Sequence, residues 1–167
     1  MTEIADRVDP SAFRRVLGVF ATGVVVVAAV DGDRPVGMSA NSFASVSLEP
    51  PLVLFCPART STTWPRLRAV GAFVVSVLAA EQEAVGRGFA RRDVDRFAGV
   101  GWRPGPSGHP VLDDALVWLD CTLDAVHQAG DHEIAVARVT ALSPEPATGV
   151  EPLVFFRGRY TGLPAGD

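Results

Sequence analysis

Few stretches of this chain could carry chemistry. The most unusual one is Ser39-Ala40-Asn41-Ser42-Phe43-Ala44-Ser45-Val46-Ser47, small hydroxyls and an amide set between apolar runs. Such residues either donate to a ligand whose ring approaches the backbone or, more commonly, satisfy their own backbone in a turn. Arg59-Thr60-Ser61-Thr62-Thr63 precedes Trp64 and gathers hydroxyls and a guanidinium at a helix start, as a phosphate cradle or as a redundant cap. Phe89-Ala90-Arg91-Arg92-Asp93 is a second Arg-rich spot, for which a solvated helix end is the simpler account. Gly130-Asp131-His132 reads as a turn, its histidine either merely exposed or held by a rigid scaffold as a hydrogen-bonding or titrating group. Arg157, Arg159 and Tyr160 close the last strand and face either ligand or solvent.

Other chemistries find no support. Gly99-Val100-Gly101 lacks the third glycine of a dinucleotide fingerprint and sits in a Pro-rich loop. The chain has no Lys at all, so a phosphate-binding GxxxxGK[ST] loop is impossible, and no GxSxG elbow occurs. His109, His127 and His132 show no strong zinc spacing, although His127 and His132 could pair at a strand end. Cys56 and Cys121 form neither a CxxC site nor a disulfide framework and read as two reduced thiols. All 15 basic residues are Arg, so any phosphate must be held by guanidinium, hydroxyl or backbone N–H groups.

The elements that must position these residues form one domain over residues 1–167, with a core from about 10 to 162. At 48% apolar, 20% charged and a net charge of −4, the composition is that of a packed globule and argues against nucleic acid or a polybasic membrane contact. No apolar signal-peptide run opens the chain, and the longest apolar run, residues 24–30, is strand length; a soluble cytoplasmic protein is expected. Asp9-Pro10 starts a helix that Phe13, Val16, Leu17 and Phe20 continue to Thr22-Gly23. Strands are expected at 24–30, 34–41, 52–56, 72–78, 115–126, 133–143 and 152–160, with 42–47 a polar segment between two of them. Thr60 or Ser61 caps a short helix through Trp64, Leu67 and Val70, a further helix spans 81–89, and 91–97 is a charged turn or short helix. Residues 99–110 and 143–151 are Gly/Pro-rich loops. Six or seven strands with three helices that do not alternate with them predict a mostly antiparallel Greek-key barrel with peripheral helices.

In this order the pieces resemble the flavin reductase family, which has a split-barrel, FMN-binding type of fold. More closely they resemble the reductase component of two-component aromatic or steroid-phenol monooxygenases. The residues that carry the resemblance are Phe20-Ala21-Thr22-Gly23-Val24, Pro35-Val36-Gly37-Met38-Ser39-Ala40-Asn41-Ser42-Phe43, Ser47-Leu48-Glu49-Pro50-Pro51-Leu52-Val53-Leu54-Phe55, Thr60-Ser61-Thr62-Thr63-Trp64, Phe97-Ala98-Gly99, Gly130-Asp131-His132 and Arg157-Gly158-Arg159-Tyr160. Singly each is weak; seven in order are strong.

The resemblance implies a homodimer with FMN or FAD in each barrel near the subunit interface. It places Met38, Ser39, Ala40, Asn41 and Ser42 along the isoalloxazine and ribityl chain. Cys56, Pro57, Ala58 and Arg59, with Ser61, Thr62 and Thr63, fall along the ribityl phosphate, and Phe89 and Ala90 border the same ligand. It associates His132, Arg157, Gly158 and Tyr160 with NADH or NADPH. Some similar reductases run well past the position of Gly162; here only residues 163–167 follow, so a tail element closing the nucleotide site would be missing.

The activity implied is hydride transfer from NADH to the flavin, with the reduced flavin passed to a separate oxygenase component. The two rings must stack at roughly 3–3.5 Å, and no general base is needed. Ser42 or a nearby N–H is expected to hydrogen-bond the flavin ring, and His132 to orient the dinucleotide. Two alternatives remain open here. A flavin- or haem-binding sensor on the same barrel would not oxidise NADH, and a flavoenzyme reducing a quinone or metal complex directly would turn over without free flavin.

Overall fold

The computed structural model of the protein describes residues 8–145 and 149–163. Helix α1 (Pro10–Leu17) opens on Asp9, whose carboxylate accepts the Ala12 N–H at 2.9 Å. It stops three residues before Phe20 because Gly18 closes it, its N–H bonding to Arg14 and Val16 carbonyls. Thr22-Gly23 is then not a helix end but a short strand, β1 (Thr22–Gly23).

The main sheet holds β2 (Val25–Asp31), β3 (Arg34–Ala40), β4 (Ala44–Leu48), β5 (Pro51–Phe55), β6 (Ala72–Val77), β9 (Val117–Ala129) and β10 (His132–Leu142). Their order is β3-β2-β6-β9-β10-β5-β4, and every pairing is antiparallel. A flat sheet of seven strands would hold its edges roughly 29 Å apart. Yet edges β3 and β4 are consecutive in the chain, and the connection from Ala40 to Ala44 spans at most about 14 Å. The sheet therefore curls into a barrel, left unbonded between β3 and β4, as the split-barrel expectation requires. The polar segment 42–47 is mostly β4, an exposed edge strand whose alternation the Ser-rich composition hid.

Strand β2 is buried on both faces, which explains its unbroken Val/Ala run. Val25, Val27 and Ala29 point into the barrel with Val53, Phe55, Phe73, Ala135 and Ala137. Helix α2 (Trp64–Val70) plugs this core with Trp64 and Leu67; the Trp64 ring meets Phe55 edge-on at 5.4 Å. Val26 and Ala28 face a second core, completed by Leu78, Leu112, Leu153 and Phe89 of helix α3 (Glu83–Ala90).

Residues 91–97 take the turn of the two forms expected, with no helix. Two further expectations are corrected. The expected loop 99–110 contains a small hairpin, β7 (Trp102–Pro104) on β8 (Pro110–Leu112). The final strand is two, β11 (Val154–Phe156) and β12 (Arg159–Thr161), because Arg157 and Gly158 both take positive φ and turn the chain. Residues 164–167 of the tail, and residues 1–7 at the start, lie outside the described residues. No helix among the described residues is long and apolar enough to cross a membrane.

Candidate functional site

A groove of about 200 Å³ runs beside β3. One part is small and apolar, from Met38, Ala58, Phe89 and Ala90; the other carries Ser39, Ser61, Thr62, Arg92 and Arg96. Gly37 permits this arrangement: a Cβ there would stand 2.9 Å from the Phe89 ring and 3.1 Å from the Val27 carbonyl. Without that Cβ, α3 lies close on β3 and brings Phe89 and Ala90 to the groove.

The hydroxyls divide their work. The N-cap of α2 is Thr63, not Thr60 or Ser61, and its side chain makes no cap bond; Ser61 Oγ instead accepts the N–H of Trp64 at 3.1 Å and of Thr63 at 3.3 Å just ahead of the helix. Ser42 Oγ accepts the Cys56 N–H at 2.9 Å, pinning the β3–β4 connection onto the end of β5. That hydroxyl serves the backbone, which leaves a flavin contact at Ser42 to its main chain. Ala40 and Asn41 continue the β3 line beyond Met38 and Ser39. Thr63 Oγ1 accepts from Arg96 at 2.8 Å.

Arg96 is the functional residue that the sequence did not single out. Its Nη1 also donates to the Gly37 carbonyl at 2.7 Å, and its Nε to the Arg91 carbonyl at 2.7 Å. It fastens the 91–97 turn to β3 and α2, and burial followed by the nearby Arg92 charge lowers its pKa. The only sequence hint was its place between Asp95 and Phe97, inside an otherwise solvated charge run. Arg92 reaches Thr60 Oγ1 at 3.4 Å from the same turn.

His132 pairs with Ala58, a residue that lines this groove. Residues 57–59 pair with the β9–β10 turn: the Glu133 N–H donates to the Pro57 carbonyl at 3.0 Å, the Arg59 N–H to Asp131 at 2.9 Å, and Ala58 bridges His132. Partners across an antiparallel bridge project on one face, so the His132 ring rises beside the Ala58 methyl that lines the groove. His132 Nδ1 lies 2.8 Å from Asp131 Oδ1. A carboxylate only accepts, so Nδ1 carries the proton, and Nε2 is an acceptor when the ring is neutral and a donor when it is charged. The hydrogen bond from His132, and then its charge, hold the Asp131 carboxyl below the usual range. Arg59, expected at phosphate, instead sends Nη1 toward the Gly130 carbonyl at 3.4 Å.

The turn is bolted down from below. Glu133 is buried and accepts from Trp64 Nε1 at 2.5 Å, Gln128 Nε2 at 2.6 Å and Arg68 Nη1 at 3.2 Å. The Trp64 hydrogen bond leads in holding its carboxyl below the usual range, against the opposing effect of burial.

Arg157 and Tyr160 line a different surface, with Phe156, Arg159 and Thr161, and Gly158 is the turn residue beside them. The Tyr160 ring packs on Phe155 at 5.3 Å under the Arg87 guanidinium, and the Arg157 N–H ties to the Gly18 carbonyl at the end of α1. They stand outside the Met38–Ala90 groove of their own chain. Both cysteines are free, and burial pushes the Cys121 thiol up to about 12, so it is inert. No cluster of three or more His, Cys, Asp or Glu able to hold a metal forms among the described residues.

The donor set fits a flavin. Small apolar side chains admit a flat ring against β3, and hydroxyls with two guanidinia stand where a phosphate would follow. The space is below the ~300–1,000 Å³ usual for a closed ligand pocket.

Comparison with known proteins agrees. The flavin-dependent monooxygenase reductase subunit of Mycobacterium tuberculosis is 46% identical over 157 residues, covering 94% of this chain and 84% of that protein. The structure of a nitrilotriacetate monooxygenase component B homologue from Mycobacterium thermoresistibile superposes with a TM-score of 0.90 at 44% identity, over 96% of this chain and 89% of that one. The NADH:FAD oxidoreductase of Streptomyces globisporus, solved with NAD and FAD fragments, superposes at 0.86 with 41% identity, over 94% and 96% of the two chains. The model of the flavin reductase like domain matches residues 17–164, and the chain belongs to that family.

Proposed function

We propose that this protein is an NADH:flavin oxidoreductase that supplies reduced FMN or FAD to a separate oxygenase component. The observation that carries the reading is the pairing of Ala58 with His132, which sets a hydrogen-bonding ring next to a residue that lines the groove. The family relationship favours it over a sensor or a direct quinone reductase. When bound, the flavin supplies an acceptor for the hydride released by NADH, and that chemistry belongs to the two cofactors.

The protein's own residues orient and enclose. Met38, Ala58, Phe89 and Ala90 give a flat apolar wall, while Thr62, Arg92 and Arg96 neutralise the phosphate. His132 Nε2 accepts from the nicotinamide carboxamide and holds that ring over the wall. No residue moves a proton in the transfer, which accounts for a site with no carboxylate dyad or nucleophile.

The groove's covering surface is another copy of this chain. Phe13, Val16, Leu17, Val19 and Phe20 on and after α1 are all exposed, as are Val46 and Leu48 on β4, large apolar side chains that a partner surface would cover. Arg157 adjoins the end of α1, so a partner docked there would bring it toward the partner's groove. This accounts for its separation from the groove within one chain.

Anaerobic NADH oxidation with added FMN, FAD or riboflavin tests the activity. Turnover that needs added flavin, with reduced flavin recovered after rapid dilution, is expected. A bound flavin that is reduced and never dissociates would overturn the supply role. Sedimentation should give a dimer, and Phe20→Asp a monomer.

A further inference from the structure

Hydride transfer needs no buried acid or base, yet the protein buries the carboxylate beside His132. Glu133 shows only 9% of its side chain to solvent and lies on the face of β10 that Ala135 and Ala137 continue into the barrel core. An apolar side chain would fill that position without the cost of burying a charge. We propose that Glu133 is a positioning residue for the nicotinamide: its carboxylate fixes the His132 ring beside Ala58 at the groove. The inference rests on the reading of His132 as a dinucleotide contact.

His132 and Glu133 are consecutive on β10, so their side chains leave opposite faces of the strand. Holding the carboxylate inside therefore holds the imidazole outside. The hold comes from two elements. From α2, Trp64 Nε1 donates to Oε2 at 2.5 Å and Arg68 Nη1 to Oε1 at 3.2 Å. From β9, Gln128, which faces Glu133 in register, donates Nε2 to Oε1 at 2.6 Å. The main chain is tied at the same residue, its N–H donating to the Pro57 carbonyl. A one-residue slip of the turn would exchange the two faces and send the imidazole inward. The carboxylate opposes that slip, because its donors stand only on the inner side.

Helix α2 links this anchor to the groove. Ser61 and Thr62 line the groove just ahead of the helix, and Ser61 Oγ accepts the Trp64 N–H at 3.1 Å. Trp64 is thus bonded through its main chain to one wall of the groove and through its indole to the residue beside His132. The carboxylate sets the spacing between that wall and the histidine. An amide cannot replace it. The indole and the guanidinium only donate, and each oxygen receives one of them, so an NH2 in either place would leave a donor facing a donor.

The test is a double-mutant cycle on KM for NADH at saturating flavin, with wild type, Glu133→Gln, His132→Ala and the pair. The kcat, the flavin dissociation constants and the melting temperatures are measured on the same preparations. Glu133→Gln is expected to raise KM about threefold to fivefold, no more than His132→Ala does, with kcat and flavin affinity within about twofold of wild type. In the His132→Ala background it should change KM no further, while its effect on melting temperature persists; a merely structural role would not separate the two. Effects on KM that multiply in the pair, a KM that Glu133→Gln leaves unchanged, or a flavin affinity that falls in step with KM would each overturn the inference and leave the flavin reductase reading intact. A KM that His132→Ala leaves unchanged would overturn the His132 reading and the inference with it. Should Glu133→Gln fail to fold, Arg68→Met at a half-exposed position removes one donor and carries the same cycle, with an expected rise of about twofold that vanishes without His132.

Discussion

Two hairpin turns carry the residues associated with the dinucleotide, and they are built in opposite ways. Gly130-Asp131 joins β9 to β10, with glycine alone taking positive φ, at 66°. Arg157-Gly158 joins β11 to β12 with both residues positive, at 49° and 74°. A two-residue hairpin of the second kind ordinarily uses Asn, Asp or Gly first, so Arg157 stands there at a conformational cost. Beneath the first turn lies buried Glu133 with three side-chain donors; beside the second lies the exposed apolar end of α1, joined through the Arg157 N–H to the Gly18 carbonyl. The first turn is finished within one chain and can fix His132 in place. The second stores strain next to an uncovered surface, as expected of a part that a partner completes.

Breaking the anchor should have the largest effect. Trp64→Ala removes a buried indole and the leading donor to Glu133, and urea unfolding should register a loss of about 3–5 kcal/mol. The turns themselves separate next. Gly130→Ala forces a side chain into the left-handed region and should cost about 1–2 kcal/mol, whereas Arg157→Gly should cost nothing or stabilise, because Arg157 already bears that strain. Equal losses at the two turns would erase the contrast between them. His132→Ala should raise KM for NADH about fivefold, the worth of one hydrogen bond, with flavin affinity kept; an unchanged KM would remove His132 from the dinucleotide site. The smallest effect is a pH slope. The Glu133 carboxyl has a folded pKa below its unfolded value, so the unfolded chain binds more protons in that window. Stability is therefore full above the ordinary glutamate range and is lost as pH falls through the lowered pKa. Glu133→Gln should flatten that limb in pH-dependent thermal melts.

Much of this was legible in the residues. The β-branched run at 24–30 announced a buried strand, and the hydroxyl cluster before Trp64 announced a helix start, although the N-cap is Thr63. Strand β4 was not legible, because an edge strand exposed on both faces has no alternation to read. The turn at Arg157-Gly158 was hidden because Arg carries no turn signal, and only the register of β11 on β12 calls for positive φ there. Arg96 was lost in a charge run, since its role comes from Gly37 and Thr63, 59 and 33 residues away in sequence. For the same reason the sequence did not show that the pairing of 57–59 with 131–133 brings Arg59 Nη1 to 3.4 Å from the Gly130 carbonyl.

The central claim is that flavin lies in the groove between β3 and the end of α3. Ala90 is exposed at that groove, so Ala90→Trp can fill it without disturbing the cores. Titration of the folded variant with FMN and FAD, followed by flavin fluorescence, measures this directly. The account predicts that binding of both is lost while the melting temperature stays near that of wild type. Binding of either flavin at wild-type affinity would contradict it.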